Sequence, residues 1–320
     1  MIKIIITNIL LFFLISTGST AKAKIDAIYG QDDRKEVSRM AEGHLKNASR
    51  SVAAIIYSED LPFDSIINKY RINKKQYDTK LCEDLPFSQQ VFIAGCTGFL
   101  IHPQLVVTAG HCIFSQEDCF NYSWVFDYEI DYLQTNDYWV EKANVYTCKK
   151  LQARELDPST DIDFAIIQLD RPVVGRVPLS YRKQGSIVLG ESITIIGHPL
   201  GVPLKYSDNA MVTNNVSKNY FSSNLDSFTG NSGSPVFNNK SFEVEGLLVR
   251  GEADFIYNRK KSCLDLKRCS SKNCMGEEVV RMTAIKSSID KAIRNVDLEL
   301  FASSFKSASN LLFISSTIIF

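Results

Sequence analysis

One serine in the sequence has neighbours suited to a nucleophile. Ser232 lies in the segment 230–235, GNSGSP, with a glycine two positions before it and another directly after it. A nucleophilic serine needs a tight turn in which its hydroxyl and nearby backbone N–H groups face one reacting centre, and glycine permits such turns. Serine and glycine are also common in ordinary loops, so the segment alone makes Ser232 only a candidate.

A histidine that could serve as a general base follows an apolar run. His111 ends the segment LVVTAGH at 105–111 and is followed by Cys112. A neutral imidazole, with an ordinary pKa of about 6.5, accepts a serine proton near neutral pH and returns it to the leaving group. The alternative is a histidine that merely ends a strand. The other three, His44, His102 and His198, are predicted to be loop or surface residues.

An aspartate at the start of an apolar run could orient that histidine. Asp163 opens the segment DFAIIQL at 163–169. A partly buried carboxylate at a strand end suits this role, although most such residues are simply exposed. Asp157 and Asp161 are rivals that local chemistry does not exclude.

The elements that must position these side chains are mostly short strands. Apolar runs of strand length recur between turn residues, at 51–57, 91–94, 105–108, 164–169, 192–196 and 243–249 among others. Many short strands without alternating long helices indicate an all-β sandwich or barrel. Helical spacing of apolar residues occurs only at 284–295. The tail, 296–320, has no clear assignment.

The first 23 residues have the layout of a cleavable secretory signal. Lys3 precedes an apolar run at 4–15, and the small-residue pattern AKA closes the segment at 21–23. An uncleaved anchor is the alternative, but the run is shorter than the roughly 20 apolar residues that span a bilayer. We therefore predict a secreted or periplasmic protein with no stable membrane insertion once the signal is removed.

Charge and cysteine content limit the partners and cofactors. With 36 basic and 36 acidic residues, nothing favours binding to nucleic acid or to anionic lipid. An even number of cysteines in an exported chain predicts disulfides, up to four of them. The cysteines are Cys82, Cys96, Cys112, Cys119, Cys148, Cys263, Cys269 and Cys274. Only the last two approach the spacing of zinc ligands, and no histidine lies near them, so we predict no metal and no other cofactor.

Taken together, the three motifs resemble the trypsin and chymotrypsin family of serine proteases. The chain order His111, Asp163, Ser232 is the order of that family, and it differs from the orders of α/β-hydrolases and subtilisins. The histidine and aspartate motifs both match, so the resemblance selects Asp163 over its two rivals. The serine motif is similar to a bacterial branch that includes the glutamyl endopeptidases. The resemblance covers about 27–295.

The resemblance implies an all-β fold of two six-stranded antiparallel barrels with a C-terminal helix. The barrels are expected at about 51–175 and 176–283 and the helix at about 284–295, after an N-terminal segment at 24–50 with a short propeptide to about Ala27. His111 and Asp163 would come from the first barrel and Ser232 from the second, with the active site between them.

The resemblance also implies roles for several other residues. The N–H groups of Gly230 and Ser232 would form the oxyanion hole, and a disulfide would join Cys96 to Cys112. Four residues are expected at a substrate pocket, namely Asp226, Ser227, Arg250 and Gly251.

Three departures from the animal enzymes bear on specificity and activation. Asp226 stands where trypsins carry the acid that binds Lys or Arg, yet Phe228 replaces a cysteine of the pocket wall, so Asp226 pointing into the scaffold is the alternative. Val249 replaces a serine that supports the aspartate. Asn231 replaces the aspartate that captures a new N-terminal ammonium, although the start at Ile28 resembles that of mature trypsin-like enzymes and suggests a zymogen.

The sequence is compatible with two functions. The first is a secreted serine endopeptidase that hydrolyses protein or peptide substrates through an acyl-enzyme, with cleavage after Lys or Arg; a preference for Glu, read by Arg250, is the weaker alternative. The second is a catalytically inert secreted binding protein on the same fold. An inert relative usually lacks one member of the triad, whereas all three residue types are present here.

Overall fold

The computed structural model describes residues 28–73, 80–130, 139–269 and 274–315, with side chains described as far as residue 302. The predicted signal peptide, 1–23, and the predicted propeptide boundary lie outside these residues. The first eleven strands are β1 (Ile28–Tyr29), β2 (Lys35–Glu36), β3 (Val52–Tyr57), β4 (Phe63–Asp64), β5 (Lys69–Arg71), β6 (Cys96–His102), β7 (Leu105–Thr108), β8 (Tyr122–Phe126), β9 (Trp139–Glu141), β10 (Val145–Asp157) and β11 (Ile162–Leu169). The later strands are β12 (Ser192–Gly197), β13 (Lys205–Asn214), β14 (Tyr220–Ser223), β15 (Pro235–Asn238), β16 (Val244–Arg250), β17 (Phe255–Asn258), β18 (Cys263–Leu266), β19 (Arg268–Cys269) and β20 (Glu277–Arg281). The α-helices are α1 (His44–Ser49), α2 (Gln116–Phe120) and α3 (Met282–Ser315).

The first half of the chain forms a closed six-stranded barrel. Its strands are hydrogen-bonded in the order β10, β11, β7, β6, β3, β8, and β8 returns to β10. Every neighbouring pair is antiparallel. β7 and β11 lie side by side in this order, and they are the strands that deliver His111 and Asp163.

The second half forms another closed six-stranded antiparallel barrel. Its strands follow the order β12, β15, β16, β20, β14, β13, and pairing of β13 with β12 closes the ring. β2 adds to the outer edge of β13. The predicted all-β fold of two antiparallel barrels is therefore confirmed.

The C-terminal helix α3 packs on the barrels through one apolar stripe. Ile285, Ile289, Ala292 and Val296 are buried at helical spacing and belong to the same core cluster as the interior of the first barrel. The helix is longer than the predicted 284–295 because no glycine or proline interrupts the chain from Met282 to Ser315. No helix in the described ranges combines the length and apolar character that a bilayer-spanning segment requires.

Four disulfides use all eight cysteines. Cys96 pairs with Cys112, as the family resemblance implied. The three pairs that the sequence left unassigned are Cys82–Cys263, Cys119–Cys148 and Cys269–Cys274. The prediction of a disulfide-bonded chain is confirmed, and the first of these pairs bridges 181 positions.

The run at 91–94 is not a strand, contrary to its apolar composition. The N–H groups of Ile93 and Ala94 both donate to the carbonyl of Gly201, at 3.0 and 3.2 Å. The two residues are buried in one apolar cluster with Ile56 of β3 and Val125 of β8, without joining a sheet. Their apolar character reflects this burial, which a strand and a buried loop share.

Candidate active site

The turn that carries His111 is tightly packed and covalently braced. It is a single 3₁₀ turn, Gly110–Cys112, directly after β7 and Ala109. A Cβ atom at Gly110 would lie 2.4 Å from the carbonyl oxygen of Glu155 and 2.8 Å from that of Phe164, so only glycine fits there. The disulfide from Cys112 to Cys96 ties the far end of the turn to β6. The histidine is thus held at both sides.

Asp163 makes two hydrogen bonds to His111. It is the second residue of β11 and is 2% exposed. One carboxylate oxygen lies 2.8 Å from Nδ1 of the imidazole, and the other accepts the backbone N–H of His111 at 3.0 Å. A carboxylate accepts only, so Nδ1 carries the proton and Nε2 is left as the basic nitrogen.

The two rival aspartates have other partners. Asp157 accepts hydrogen bonds from the backbone and hydroxyl of Ser159. Asp161 has a positive φ of 59° in the turn before β11, and its carboxylate lies 3.5 Å from the guanidinium of Arg250. Of the three acids considered, Asp163 is the one that contacts His111.

The loop that carries Ser232 presses against the histidine turn. The carbonyl oxygen of Ser232 accepts the N–H of Thr97 at 2.8 Å and lies 3.8 Å from Sγ of Cys112. That sulfur is in a disulfide and has no hydrogen to donate, so the second distance is a packing contact. At Gly233, a Cβ atom would lie 2.3 Å from the hydroxyl of Thr108. The serine loop therefore contacts residues on both sides of His111.

The backbone around Ser232 leaves two N–H groups unused. In the described part of the chain, neither the N–H of Gly230 nor that of Ser232 donates to a protein acceptor. Gly230 has a φ of +98°, and a Cβ atom there would lie 2.4 Å from the carbonyl oxygen of His198. Asn231 is buried, and its side chain is bonded to the hydroxyls of Ser227 and Ser234. The loop conformation thus requires glycine at position 230, and the hydrogen bonds of the buried Asn231 side chain stabilise it.

Comparison with protein families gives a match across this site. Residues 96–247 match the family model described as the trypsin-like peptidase domain. This stretch of the chain is similar to trypsin-like peptidase domains. The matched range includes His111, Asp163 and Ser232, so the predicted resemblance is confirmed.

Two curated relatives match parts of this chain. The glutamyl endopeptidase of Bacillus licheniformis is 27% identical over 154 residues, which are 47% of this chain and 47% of that protein. An extracellular metalloprotease of Bacillus subtilis is 70% identical over 23 residues, 7% of each chain. The match thus spans about half of the first relative's length and much less of the second's. A solved structure of a Glu endopeptidase in complex with MPD has a TM-score of 0.49 and 18% identity, and it covers 83% of this chain and 98% of that chain.

Among the described residues, one group of side chains has metal-ligand spacing. The sulfurs of Cys96 and Cys112 and a ring nitrogen of His111 lie within 4.8 Å of one another. The two sulfurs are bonded to each other, so this group offers one ligand instead of three.

The residues predicted for a substrate pocket are mostly buried or hydrogen-bonded to other parts of the protein. Asp226 is 3% exposed, and its two oxygens accept the backbone N–H groups of Tyr29 and Asp33, each at 2.7 Å. Burial raises the pKa of its carboxyl to about 6. The carboxylate therefore holds the N-terminal segment, because an acid this deeply buried needs such donors.

Arg250, the other charged residue of that set, is also paired. Its guanidinium donates to the carboxylate of Glu278 at 2.7 Å and to the carbonyl oxygen of Asp161 at 3.0 Å. Ser227 is fully buried beneath the serine loop. Gly251 follows β16 and is buried. Arg250 thus links the second barrel to the turn that precedes Asp163.

Two features of the site escaped the sequence analysis. Arg154 on β10 donates to the carbonyl oxygen of Gly110 at 2.8 Å and so supports the histidine turn. His198, expected on a surface loop, is 1% exposed, and burial lowers its pKa to about 3. A histidine flanked by glycine and proline gives no local signal of burial, since the covering residues come from distant parts of the chain.

Proposed function

We propose that this chain is a serine endopeptidase that hydrolyses protein or peptide substrates through an acyl-enzyme. The observation that carries the proposal is the pair of hydrogen bonds that His111 donates to the carboxylate of Asp163, beside a glycine-flanked serine. Ser232 would attack the scissile carbonyl while Nε2 of His111 accepts its proton. Nε2 would then return that proton to the leaving amine, and water would release the acyl group by the same route.

The unused N–H groups of Gly230 and Ser232 supply the second element of the proposal. An oxyanion that forms at the substrate carbonyl needs fixed donors, each typically worth about 3 kcal/mol in the transition state. Both groups lie in one loop: one N–H belongs to the proposed nucleophile, Ser232, and the other to Gly230, two positions before it. Their lack of protein acceptors within the described chain is what a donor site reserved for substrate requires.

Residue preference at the cleavage site is set, we propose, by neither Asp226 nor Arg250. A substrate cation would have to displace two backbone donors from Asp226, and a substrate acid would have to displace Glu278 from Arg250. The preference for Lys or Arg expected from the sequence thus has no support from these contacts. Because one relative is named a glutamyl endopeptidase, Glu belongs among the residues to be tested before the scissile bond. Fluorogenic peptides with Glu, Asp, Lys, Arg or Leu before the scissile bond measure the preference directly.

An extracytoplasmic location and N-terminal processing complete the proposal. Four disulfides suit an oxidising compartment. Ile28 is fully buried and its N–H donates to the carbonyl oxygen of Lys267 at 3.1 Å, so the folded domain begins no later than this residue. We place the mature terminus at Ala27 or Ile28, as the sequence suggested. The inert binding protein, the rival hypothesis, gains no support from a site in which the acid and the base are in contact.

Covalent labelling with a fluorophosphonate probe tests the proposed function. The folded protein should take up one probe molecule and cleave casein, and Ser232→Ala should abolish both. Ser159→Ala, at an exposed serine in the turn between β10 and β11, is the control and should label normally. Full proteolysis by Ser232→Ala would refute the proposal, and so would folded wild-type protein that neither labels nor cleaves.

A further inference from the structure

Thr97 on β6 contacts both sides of the candidate site with every polar atom it has. Its N–H donates to the carbonyl oxygen of Ser232 at 2.8 Å. Its hydroxyl donates to the carbonyl oxygen of Gly230, also at 2.8 Å. The same hydroxyl accepts the N–H of His198 at 3.1 Å. Its carbonyl oxygen accepts the hydroxyl of Thr108, three residues before His111, at 2.7 Å. The residue is fully buried.

These contacts fix two peptide groups in the serine loop. The peptide between Gly230 and Asn231 is held at its carbonyl by the Thr97 hydroxyl and at its N–H by the carbonyl of Phe228, 2.9 Å away. The peptide after Ser232 is held at its carbonyl by the Thr97 N–H and at the next N–H by the carbonyl of Leu248, 2.7 Å away. The peptide that carries the N–H of Ser232 lies between these two fixed groups.

The hydroxyl holds the more adaptable end of the loop. Gly230 has a positive φ and no side chain, so its backbone would reorient readily without an external contact. Its N–H, the first unused donor, is attached to the same Cα atom as the carbonyl that Thr97 holds. Both unused donors are therefore adjacent to peptides that Thr97 holds in place.

We propose that Thr97 is a positioning residue, whose hydroxyl orients the N–H groups of Gly230 and Ser232 toward the oxyanion of the tetrahedral intermediate. This inference rests on the proposed function. Thr97 does not touch the substrate; it acts through the carbonyl of Gly230. Since a displacement of about 1 Å in a reacting group can lower a rate 100-fold, loss of the hydroxyl should act mainly on kcat.

The decisive comparison is between Thr97→Val and Thr97→Ser. Valine keeps the shape and the N–H bond to Ser232 but removes the hydroxyl, whereas serine retains it. We expect Thr97→Val to lower kcat by about 10- to 100-fold, with KM changed less than about twofold. Thr97→Ser should stay within about threefold of wild type. The inhibition constant of a peptide aldehyde, whose adduct places an oxyanion in the same position, should rise with Thr97→Val by the factor that kcat loses.

Thr194→Val is the matched control. Thr194 is likewise fully buried on β12 of the second barrel, and its hydroxyl donates to the side-chain oxygen of Asn239 at 2.7 Å. Its substitution should lower stability but leave kcat and aldehyde binding unchanged. If Thr97→Val does not fold, Thr97→Ala replaces it in every measurement.

The outcomes separate this inference from the proposed function. An active wild-type enzyme with an unchanged kcat in Thr97→Val, or with an equal loss in Thr97→Ser, overturns the positioning role. A wild-type protein that neither hydrolyses peptides nor takes up the fluorophosphonate overturns the proposed function instead. An active wild type with a loss of kcat and aldehyde affinity confined to Thr97→Val supports both.

Discussion

The carboxylate of Asp226 accepts the backbone N–H of Tyr29 at 2.7 Å, across 197 positions of the chain. Its other oxygen accepts the N–H of Asp33 at 2.7 Å. Since Asp226 lies six residues before Ser232, the N-terminal segment is attached directly to the base of the loop that carries the proposed nucleophile. The carboxylate that the sequence suggested for substrate binding is thus hydrogen-bonded to two neutral backbone N–H groups.

The raised pKa of Asp226 makes stability depend on pH. Burial raises it to about 6, with Asp32 and Asp33 adding to the effect, whereas an unfolded aspartate titrates near 3.9. Between these values the folded state keeps a proton that the unfolded state has lost, so the free energy of unfolding should fall as pH rises from about 4 to about 6. Urea unfolding across this range measures the slope, and Asp226→Asn should flatten it. Wild-type protein measured in the same buffers is the reference, and an unchanged slope in Asp226→Asn would contradict the assignment.

The N-terminal contacts predict where the mature protein begins. Because Ile28 is fully buried and Tyr29 is bound to Asp226, a chain that starts beyond Ile28 should lose stability and activity. N-terminal sequencing of the active secreted protein should give Ala27 or Ile28. A start at Lys24 in fully active enzyme would remove the proposed second cleavage and leave only removal of the signal peptide.

Removal of either His111 or Ser232 should abolish peptide hydrolysis to a similar degree. In the proposed mechanism the two side chains act as one unit with Asp163. Losses of about 10⁴- to 10⁶-fold in kcat are therefore expected for each single variant, with little further loss in the double variant. The kcat of His111→Ala, Ser232→Ala and the double variant is compared with that of His102→Ala, a histidine bonded to Asp297 on α3. Additive losses in the double variant would show that the two residues do not act together.

Arg250→Gln should weaken catalysis without altering charge preference. The substitution removes the contact between β16 and the turn before Asp163, and we expect kcat/KM to fall about fivefold, equivalent to about 1 kcal/mol. The ratio of rates on Glu and Lys peptides should stay constant. Arg182→Gln is a matched control, because Arg182 is 24% exposed against 22% for Arg250 and is paired with Glu245 in the same barrel. A selective loss of Glu cleavage in Arg250→Gln would instead identify Arg250 as the specificity residue.

Replacement of Cys96 and Cys112 by alanine should cost both stability and activity. The disulfide joins residues 16 positions apart beside His111, and its loss should lower the free energy of unfolding by about 2 to 4 kcal/mol. Thermal unfolding and kcat are compared with those of the double alanine variant at Cys269 and Cys274, a bridge across only 5 positions. That control should keep its kcat. Equal activity in the two double variants would argue against a role of the first bridge in holding the histidine turn.

The sequence by itself determined the parts of this protein that depend on local chemistry. The turns that present His111 and Ser232 need glycines at fixed positions, where no side chain fits, and such requirements appear as short motifs. Alternation of short apolar runs and turns gave the all-β class, and the spacing of Ile285, Ile289 and Ala292 gave the C-terminal helix. The two-barrel arrangement came from the family resemblance of these motifs.

Tertiary structure alone decided what depends on residues far apart in the chain. It paired six of the cysteines, placed 91–94 in a buried loop and gave Asp226 and Arg250 their hydrogen-bond partners. A carboxylate has the same local sequence whether it faces a substrate or a backbone N–H 197 positions away. Only the docking of the N-terminal segment, through pairing of β1 with β19 and of β2 with β13, brings those donors within 3 Å. Burial then makes them the partners that the charge requires.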